Sequence, residues 1–549
     1  MRPLQPDNDV NSNQSNKATC TNSSPSNSVK IPIYAWKMLA VLSCIATMVM
    51  YAETMLIPAI PDLIRDFHVS YSMSSWILTS YLIAGAVMTP IAGKLSDIYG
   101  RKKILLIIMM IYAIGVSIAG FASDTYFMIF ARAIQGIGMS MFPIAFGMIR
   151  DQFPREKISI GQGVITSMFA SGAVVGLTIG GIIVQDYGWR STFFTIIPIA
   201  ISLLLIISRF IHTTENYVLN QKQTKSGDAL AIDISTTNTN GVGNTASLKA
   251  SNQIDIKGAI ALTFTVVSFL LVLTLLGTSG GTIKTAIVSN SNDDNSANFK
   301  VSSHILPFLI IGIISFPVFI IIEKKEKHPL VDFKLLLHRS ILPANLIIFL
   351  VGFSMFMVFQ TVPILVRNPE PVGFGEDAVS AGKVQLPFAI VLLIFGPTSG
   401  IIVSKLGSLK PIVFGTIITA SGFIGLFTFH SGELLVSANL GILSIGLSLT
   451  SVGAMNVIIL STPGQFSGIS LGMSSLMRIM GSSIGPALAG MYMQSNQILV
   501  NLDGIGAYFP SSVSFNLIFL SAVIVSIFSI ALAIILKQRA SAMAIPNLA

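Results

Sequence analysis

Apolar residues gather along this chain into blocks of about twenty, separated by short polar breaks. That is the length a helix needs to cross a hydrocarbon layer roughly 30 Å thick at about 1.5 Å per residue. Fourteen blocks are legible, near 36–58, 73–93, 104–122, 126–148, 160–184, 192–213, 257–277, 303–323, 341–366, 384–404, 411–430, 436–460, 467–492 and 514–536. The pattern predicts an all-α polytopic membrane protein with 14 transmembrane helices, and an even number places both chain ends on one side. Two longer polar stretches interrupt it: 214–256, rich in Thr, Asn and Ser, and 279–302, with the run Asn292, Asp293, Asp294, Asn295. They flank spans seven and eight and read as linkers. The chain therefore parses as a disordered tail (1–35), a first six-helix bundle (36–213), a linker (214–256), a two-span insert (257–323), a second linker (324–340), a second six-helix bundle (341–536) and a tail (537–549).

Composition narrows the class. Hydrophobic residues make up 52% and charged residues 10%, where a soluble domain carries about 25% charged residues; the mean hydropathy is +0.76. A soluble fold is excluded. Cys20 lies in the polar tail and Cys44 in the first apolar block, so no disulfide framework is implied. Residues 1–30 contain no apolar h-region of a cleavable signal, and the first span is expected to serve as the insertion signal. The net charge of +9 raises the question of a nucleic-acid partner, but the placement of the charges answers it. Of the 33 Lys and Arg, 25 lie on segments that share the N-terminal side, 6 lie on the opposite loops, and Arg132 and Arg478 lie within spans. By the positive-inside rule both termini are cytoplasmic. The lipid bilayer of the cell membrane, and no nucleic acid, is the expected surrounding.

The six-two-six parse predicts an internal repeat. After span two come Gly93, Leu95, Asp97, Gly100, Arg101, Lys102 and Lys103; after span ten come Gly400, Ser404, Gly407 and Lys410, with the glycines offset by 307 residues. Gly172, Gly176, Gly180 and Gly181 in span five match Gly481, Gly485 and Gly490 in span thirteen at an offset near 309. Glycines spaced by four line one helix face and permit close approach of a neighbouring backbone. Such a face is expected to pack, and to be the surface on which one half slides or seals against the other.

The segment from Gly93 to Lys103 resembles the signature loop of the major facilitator superfamily, G-x-L-a-D-r-x-G-r-k-x. Arg132, Gln135, Gly136 and Gly138 resemble that family's R-x-x-q-G-x-g motif, and span five resembles its G-x-x-x-G-P-x-x-G-G antiporter motif, with Leu177 in place of the proline and Pro486 at the corresponding point of the second half. Together with Gly188, Trp189 and Arg190 before span six, the membrane portion is similar to the fourteen-span drug:proton antiporters. The resemblance implies the major facilitator fold, two six-helix bundles around a cavity that opens alternately to either side. It also implies that Gly93, Asp97, Gly100 and Arg101 form a gating loop that latches the halves, and that small apolar or cationic compounds are exported in exchange for protons. On the residues alone, Asp97 is placed to cap the next helix or pair with a neighbouring base.

Among the 24 Asp and Glu, Glu53 is the one acid well inside a span. Ionising a carboxyl away from water costs several kcal/mol, which is what makes such a group a proton carrier near neutral pH. Counting from the span ends puts Glu53 roughly 7 Å deep and Arg132 roughly 9 Å deep, so the two are expected to pair at one level until a proton releases them. Arg478 lies roughly 16 Å into span thirteen, with no acid of the second half at its depth. It reads equally as a ligand for an acceptor-bearing substrate, as part of the proton path, or as a group satisfying carbonyls. Gln360 and Asn456 are candidate cavity residues beside the Met355, Phe356, Met357 run. All six histidines fall in loops or at span ends, and no G-x-x-x-x-G-K-[ST] loop is present. An enzyme or an ATP-driven pump is therefore disfavoured, and a passive facilitator or nutrient importer is the nearer rival. A monomer is expected, with no cofactor and a proton gradient as the energy source.

Overall fold

The computed structural model describes residues 31–57, 59–69, 71–210, 255–278, 305–326, 329, 331, 333–502 and 505–542. The N-terminal tail to residue 30, nearly all of the 214–256 linker, the 279–302 stretch and the last seven residues lie outside the described residues. The first bundle contains α1 (Ile33–Thr54), the short α2 (Ile60–Phe67), α3 (Tyr71–Tyr99), α4 (Arg101–Gly120), α5 (Thr125–Gly136), α6 (Met141–Gln152), α7 (Ile158–Tyr187) and α8 (Trp189–Phe210). Then come α9 (Ile256–Thr278), α10 (Leu306–Lys325) and the short α11 (Phe333–Leu336). The second bundle contains α12 (Ile341–Arg367), α13 (Ala378–Leu406), α14 (Leu409–Thr428), α15 (Glu433–Ser461), α16 (Ser467–Ser495) and α17 (Ser512–Ala542). A 3-10 turn over Ile137–Ser140 joins α5 and α6 into one bent rod.

Counting that rod once, 12 of these helices are long and apolar enough to cross a membrane, which makes this a multi-pass membrane protein. The two expected spans outside that number are α9 and α16. Within α9 the apolar stretch Lys257–Val272 is shorter. α16 has 29 residues but is diluted by Gly and Ser, because most of its surface meets other helices and not lipid.

The helices are joined tightly. Gly100 alone links α3 to α4 with φ of 90°, and Gly407 turns α13 toward α14 with φ of 77°. Both occupy the left-handed region that an L side chain resists. The two glycines matched by the sequence repeat therefore make the same turn. Asp124 and Asp377 cap α5 and α13 by accepting from the amides of Phe127 (2.9 Å) and Ser380 (2.7 Å). Hydrogen bonds from Ser380 hold the Asp377 carboxyl below the usual carboxylate range.

Packing follows the repeat as well. α1 lies on α7 as α12 lies on α16, and the halves meet along two seams, α3 on α16 and α7 on α13. The pair α9 and α10 pack together, with α9 resting on α3 and α16. Between α16 and α17 the chain forms an antiparallel hairpin, β1 (Gln497–Leu502) with β2 (Ile505–Pro510), pairing Gln497 with Pro510 and Leu502 with Ile505. The sequence reading treats this stretch as loop, although Asp503 and Gly504 between two apolar runs are a hairpin signal.

Candidate functional site

At the end of the bundle where Gly100 lies, charged groups of the first half grip the second. Asp97 lies in the last two turns of α3 and Arg101 opens α4, so the expected gating loop shrinks to Gly100 itself. The Asp97 carboxylate does not cap α4. Its Oδ2 accepts from the Gly468 amide (2.7 Å) at the start of α16, where four unsatisfied N–H groups and the helix dipole favour an anion. Arg101 lies beside it, with Nη2 at 3.6 Å from Asp97 and donating to the Ser467 hydroxyl (2.7 Å), and Nε at 2.7 Å from Asp151. Gly147 leaves room for that guanidinium, since a Cβ there would strike Arg101 Nη1. Gly93 serves the same seam: a Cβ on it would strike the Gly468 carbonyl. Arg150 adds a bond to the Thr462 carbonyl (2.6 Å).

Among the described residues, no charged side chain bonds across the second seam. A Cβ on Gly163 of α7 would strike the Gly396 carbonyl of α13, one on Gly400 would strike the Ser159 carbonyl, and Ser159 donates to the Gly400 carbonyl (2.7 Å). The expected sealing glycines are elsewhere. Gly172 and Gly176 press on Thr47 and Tyr51 of α1 and Gly180 on Met55 just beyond it, with Gly181 half-buried beside them, while Gly481 and Gly485 press on Phe349 and Phe353 of α12. Both stripes bind helices within one half. A four-residue glycine spacing specifies a close neighbour without saying which one.

Midway between the ends, Arg132 is fully buried. Its Nη1 donates to the Ala52 carbonyl (3.0 Å) and to Gln135 Oε1 (2.8 Å), Nε reaches the Ile77 carbonyl (3.4 Å), and the guanidinium lies 4.5 Å from the Tyr81 ring centre. Gly136 lets α5 approach the Tyr81 backbone closely enough for this. Glu53 is buried on the last turn of α1, and its neighbour Thr54 donates to the Ala173 carbonyl (2.7 Å). The acid is therefore level with the middle of α7 although its own helix stops there. Glu53 makes no ion pair with Arg132, and its Oε2 has no hydrogen-bond partner among the described residues. The expected pair is therefore not made: helix carbonyls and Gln135 hold the guanidinium. Two guanidinium groups act on Glu53 electrostatically: Arg132 and, from the other half, Arg478.

Arg478 is half-buried in the middle of α16. A Cβ on Gly352 would strike its carbonyl, so α12 fixes its backbone, and its side chain crosses the seam to stack on Phe169 (4.0 Å) and Phe142 (5.0 Å) of the first half. These rings begin an edge-to-face series: Phe142 to Phe169 (5.0 Å), Phe169 to Phe356 (6.5 Å), Phe356 to Phe359 (5.8 Å) and Phe359 to Phe388 (5.2 Å). A narrow cleft between the halves, about 20 Å³ in this closed arrangement, is lined by Phe169, Phe356, Phe388, Thr166, Ser451 and Arg478. Gln360, one turn along α12 from Phe356, is exposed and not buried as expected. Asn456 departs from the cavity altogether: it donates to the Ser408 hydroxyl (2.8 Å) at the start of α14. Sequence reasoning passed over Gln162, fully buried one turn along α7 from Thr166, whose amide has no partner among the described residues. An amide inside an apolar span was the available signal.

Residues 42–486 match the model of the Major Facilitator Superfamily. The chain is 24% identical over 466 residues to the tetracenomycin C resistance and export protein of Streptomyces glaucescens, covering 84% of this chain and 76% of that protein. It is 27% identical over 449 residues to multidrug resistance protein 3 of Bacillus subtilis (strain 168), covering 80% and 75%. Its fold is similar to the crystal structure of the human organic anion transporter MFSD10 (TETRAN), with a TM-score of 0.57 and 14% identity over 91% of this chain and 99% of that one. A transporter architecture of two seamed bundles, a charged latch on one seam and a cleft between the halves thus agrees with the family match across most of the chain: this protein belongs to the Major Facilitator Superfamily.

Proposed function

We propose that the protein is a proton-coupled antiporter of the cell membrane that exports small, largely apolar compounds by alternating access, with both termini cytoplasmic. The observation that carries this reading is Glu53: a buried carboxyl of the first bundle, with no partner for Oε2 among the described residues, beside an arginine that carbonyls already hold. A carboxyl so placed gains little from staying ionised and is suited to load and unload a proton as the halves rock. The drug-resistance and export relatives support the direction of transport. The asymmetry of basic residues supports the orientation. It puts the Gly100 end in the cytoplasm, so that the Asp97 and Arg101 contacts close the inner gate.

The same reading takes α9 and α16 as spans, which gives 14 in a six-two-six order. α16 is enclosed by α3, α9 and α12, and such enclosure accommodates a glycine- and serine-rich span that lipid would not. The protein works as a monomer, with no cofactor beyond the gradient.

The test is proton movement in reconstituted vesicles on addition of neutral lipophilic compounds, comparing wild type with Glu53→Gln. Substrate-dependent proton movement is expected in wild type and a loss of at least tenfold in the variant, with binding retained. Unchanged coupling in Glu53→Gln would remove the acid from the mechanism, and transport without proton movement would make the protein a facilitator.

A further inference from the structure

We infer that Arg478 is the recognition point of a substrate subsite for planar aromatic compounds that present a carbonyl or carboxylate oxygen. This rests on the reading of the inter-bundle cleft as the transport path. A guanidinium carries five N–H donors in a plane. Here no acceptor among the described residues takes any of them, whereas Arg132, the other intramembrane arginine, has three. What Arg478 has instead is stacking, on Phe169 at 4.0 Å and Phe142 at 5.0 Å. Stacking uses the faces of the group and leaves its edge of donors open. The edge opens on the cleft, since Arg478 is half-buried and lines it.

The other walls define the rest of the ligand. Phe169, Phe356 and Phe388 supply ring faces and edges from both halves, which suits a flat apolar body. Thr166 and Ser451 supply hydroxyls that donate or accept, so the body tolerates further polar substituents. The charge balance excludes the opposite class. Among Lys, Arg, Asp and Glu, the deep groups at this level are two arginines and Glu53, so the site is net positive whichever way Glu53 stands. A cationic compound would meet a net positive site with the Arg478 guanidinium at the point of contact. This sets aside the cationic substrates that the family resemblance implies and keeps the apolar ones, provided they carry an acceptor.

Equilibrium binding to the purified full-length protein, in detergent at one pH, separates the classes. The probes are methyl 2-naphthoate as a neutral acceptor, 2-naphthoate as an anionic one, naphthalene with none, and 2-naphthyltrimethylammonium as a cation. Wild type is expected to hold at least one of the two acceptor probes more than tenfold tighter than the cation. Arg478→Met should weaken that probe tenfold to hundredfold, the range for losing hydrogen bonds to a charged group, and leave naphthalene unchanged. Arg478→Lys, which keeps the charge without the fork, should fall between the two. Equal affinity for cation and acceptor probes, or an unchanged affinity in a monodisperse Arg478→Met or Arg478→Lys protein, would overturn the assignment. Because binding is read without a gradient, failure of proton coupling in vesicles would overturn antiport and leave this result standing.

Discussion

The two seams between the bundles share a plan and differ in material. Where α3 meets α16, Gly93 and Gly468 bring the backbones close, and Asp97, Arg101 and Arg150 add bonds to backbone and hydroxyl partners of the second half. Where α7 meets α13, the contact is made by bare backbone at Gly163, Gly396 and Gly400 with the hydroxyl of Ser159. Charges held in good geometry are strong while they are paired and costly once parted, so they suit a contact that must be either made or broken. Glycine faces gain only dispersion from close approach and lose it gradually, so they suit a surface that stays in register while tilting. A duplicated fold can thus divide labour between equivalent interfaces. The insert adds to the difference, because α9 rests on the charged seam at both α3 and α16.

Removing the centre of the charged seam should have the largest effect. Arg101→Ala strands Asp97 and Asp151 beside each other and should disfavour the closed Gly100 end by about 3–5 kcal/mol, the cost of breaking a buried pair. A cysteine introduced near Ser467 should then label from that side at least tenfold faster, whereas equal rates would mean that the seam is held by packing alone. Next comes the glycine seam. Gly396→Leu overpacks against Ser167 and the Gly163 carbonyl and should cost about 1–3 kcal/mol of stability. Its signature is a lower melting temperature without selective opening of the Gly100 end; selective opening would erase the contrast drawn here. Smallest is Ser159→Ala, which deletes one hydrogen bond to the Gly400 carbonyl. About 1 kcal/mol should be lost, visible as a small shift in melting temperature with transport preserved.

How much of this was legible in the sequence depends on whether a signal was local. The turn at Gly100 and its echo at Gly407 are local, and both glycines appear in the repeat with the backbone conformation it requires. The family motifs likewise marked the right residues. Their partners did not show, because Gly468 and Thr462 lie more than 300 positions away from Asp97 and Arg150 in the chain. That Glu53 and Arg132 are charges buried within the helices was legible; direction around a helix was not, and so the expected pair proved to be two separate groups. α16 is legible as the apolar block 467–492 yet falls outside the twelve most apolar helices for a related reason. Hydropathy measures affinity for lipid, and this helix is designed to meet protein, with Gly481 and Gly485 against α12 and Gly468 against α3. The hairpin between α16 and α17 was missed although its turn signal is present, because a short strand pair is masked when a chain is scanned for twenty-residue blocks.

The phenylalanines from Phe142 to Phe388 form a series of four edge-to-face steps. Three of its four steps stay within one half, and only the step from Phe169 to Phe356, the widest at 6.5 Å, passes from one half to the other. Any rocking of the bundles must stretch or break that step first while the others ride along unchanged. The protein therefore carries its own gauge of conformation: a fluorine label on Phe356 would sense the ring current of Phe169 in one state and lose it in the other, with the Phe359 and Phe388 pair serving as the unmoved reference.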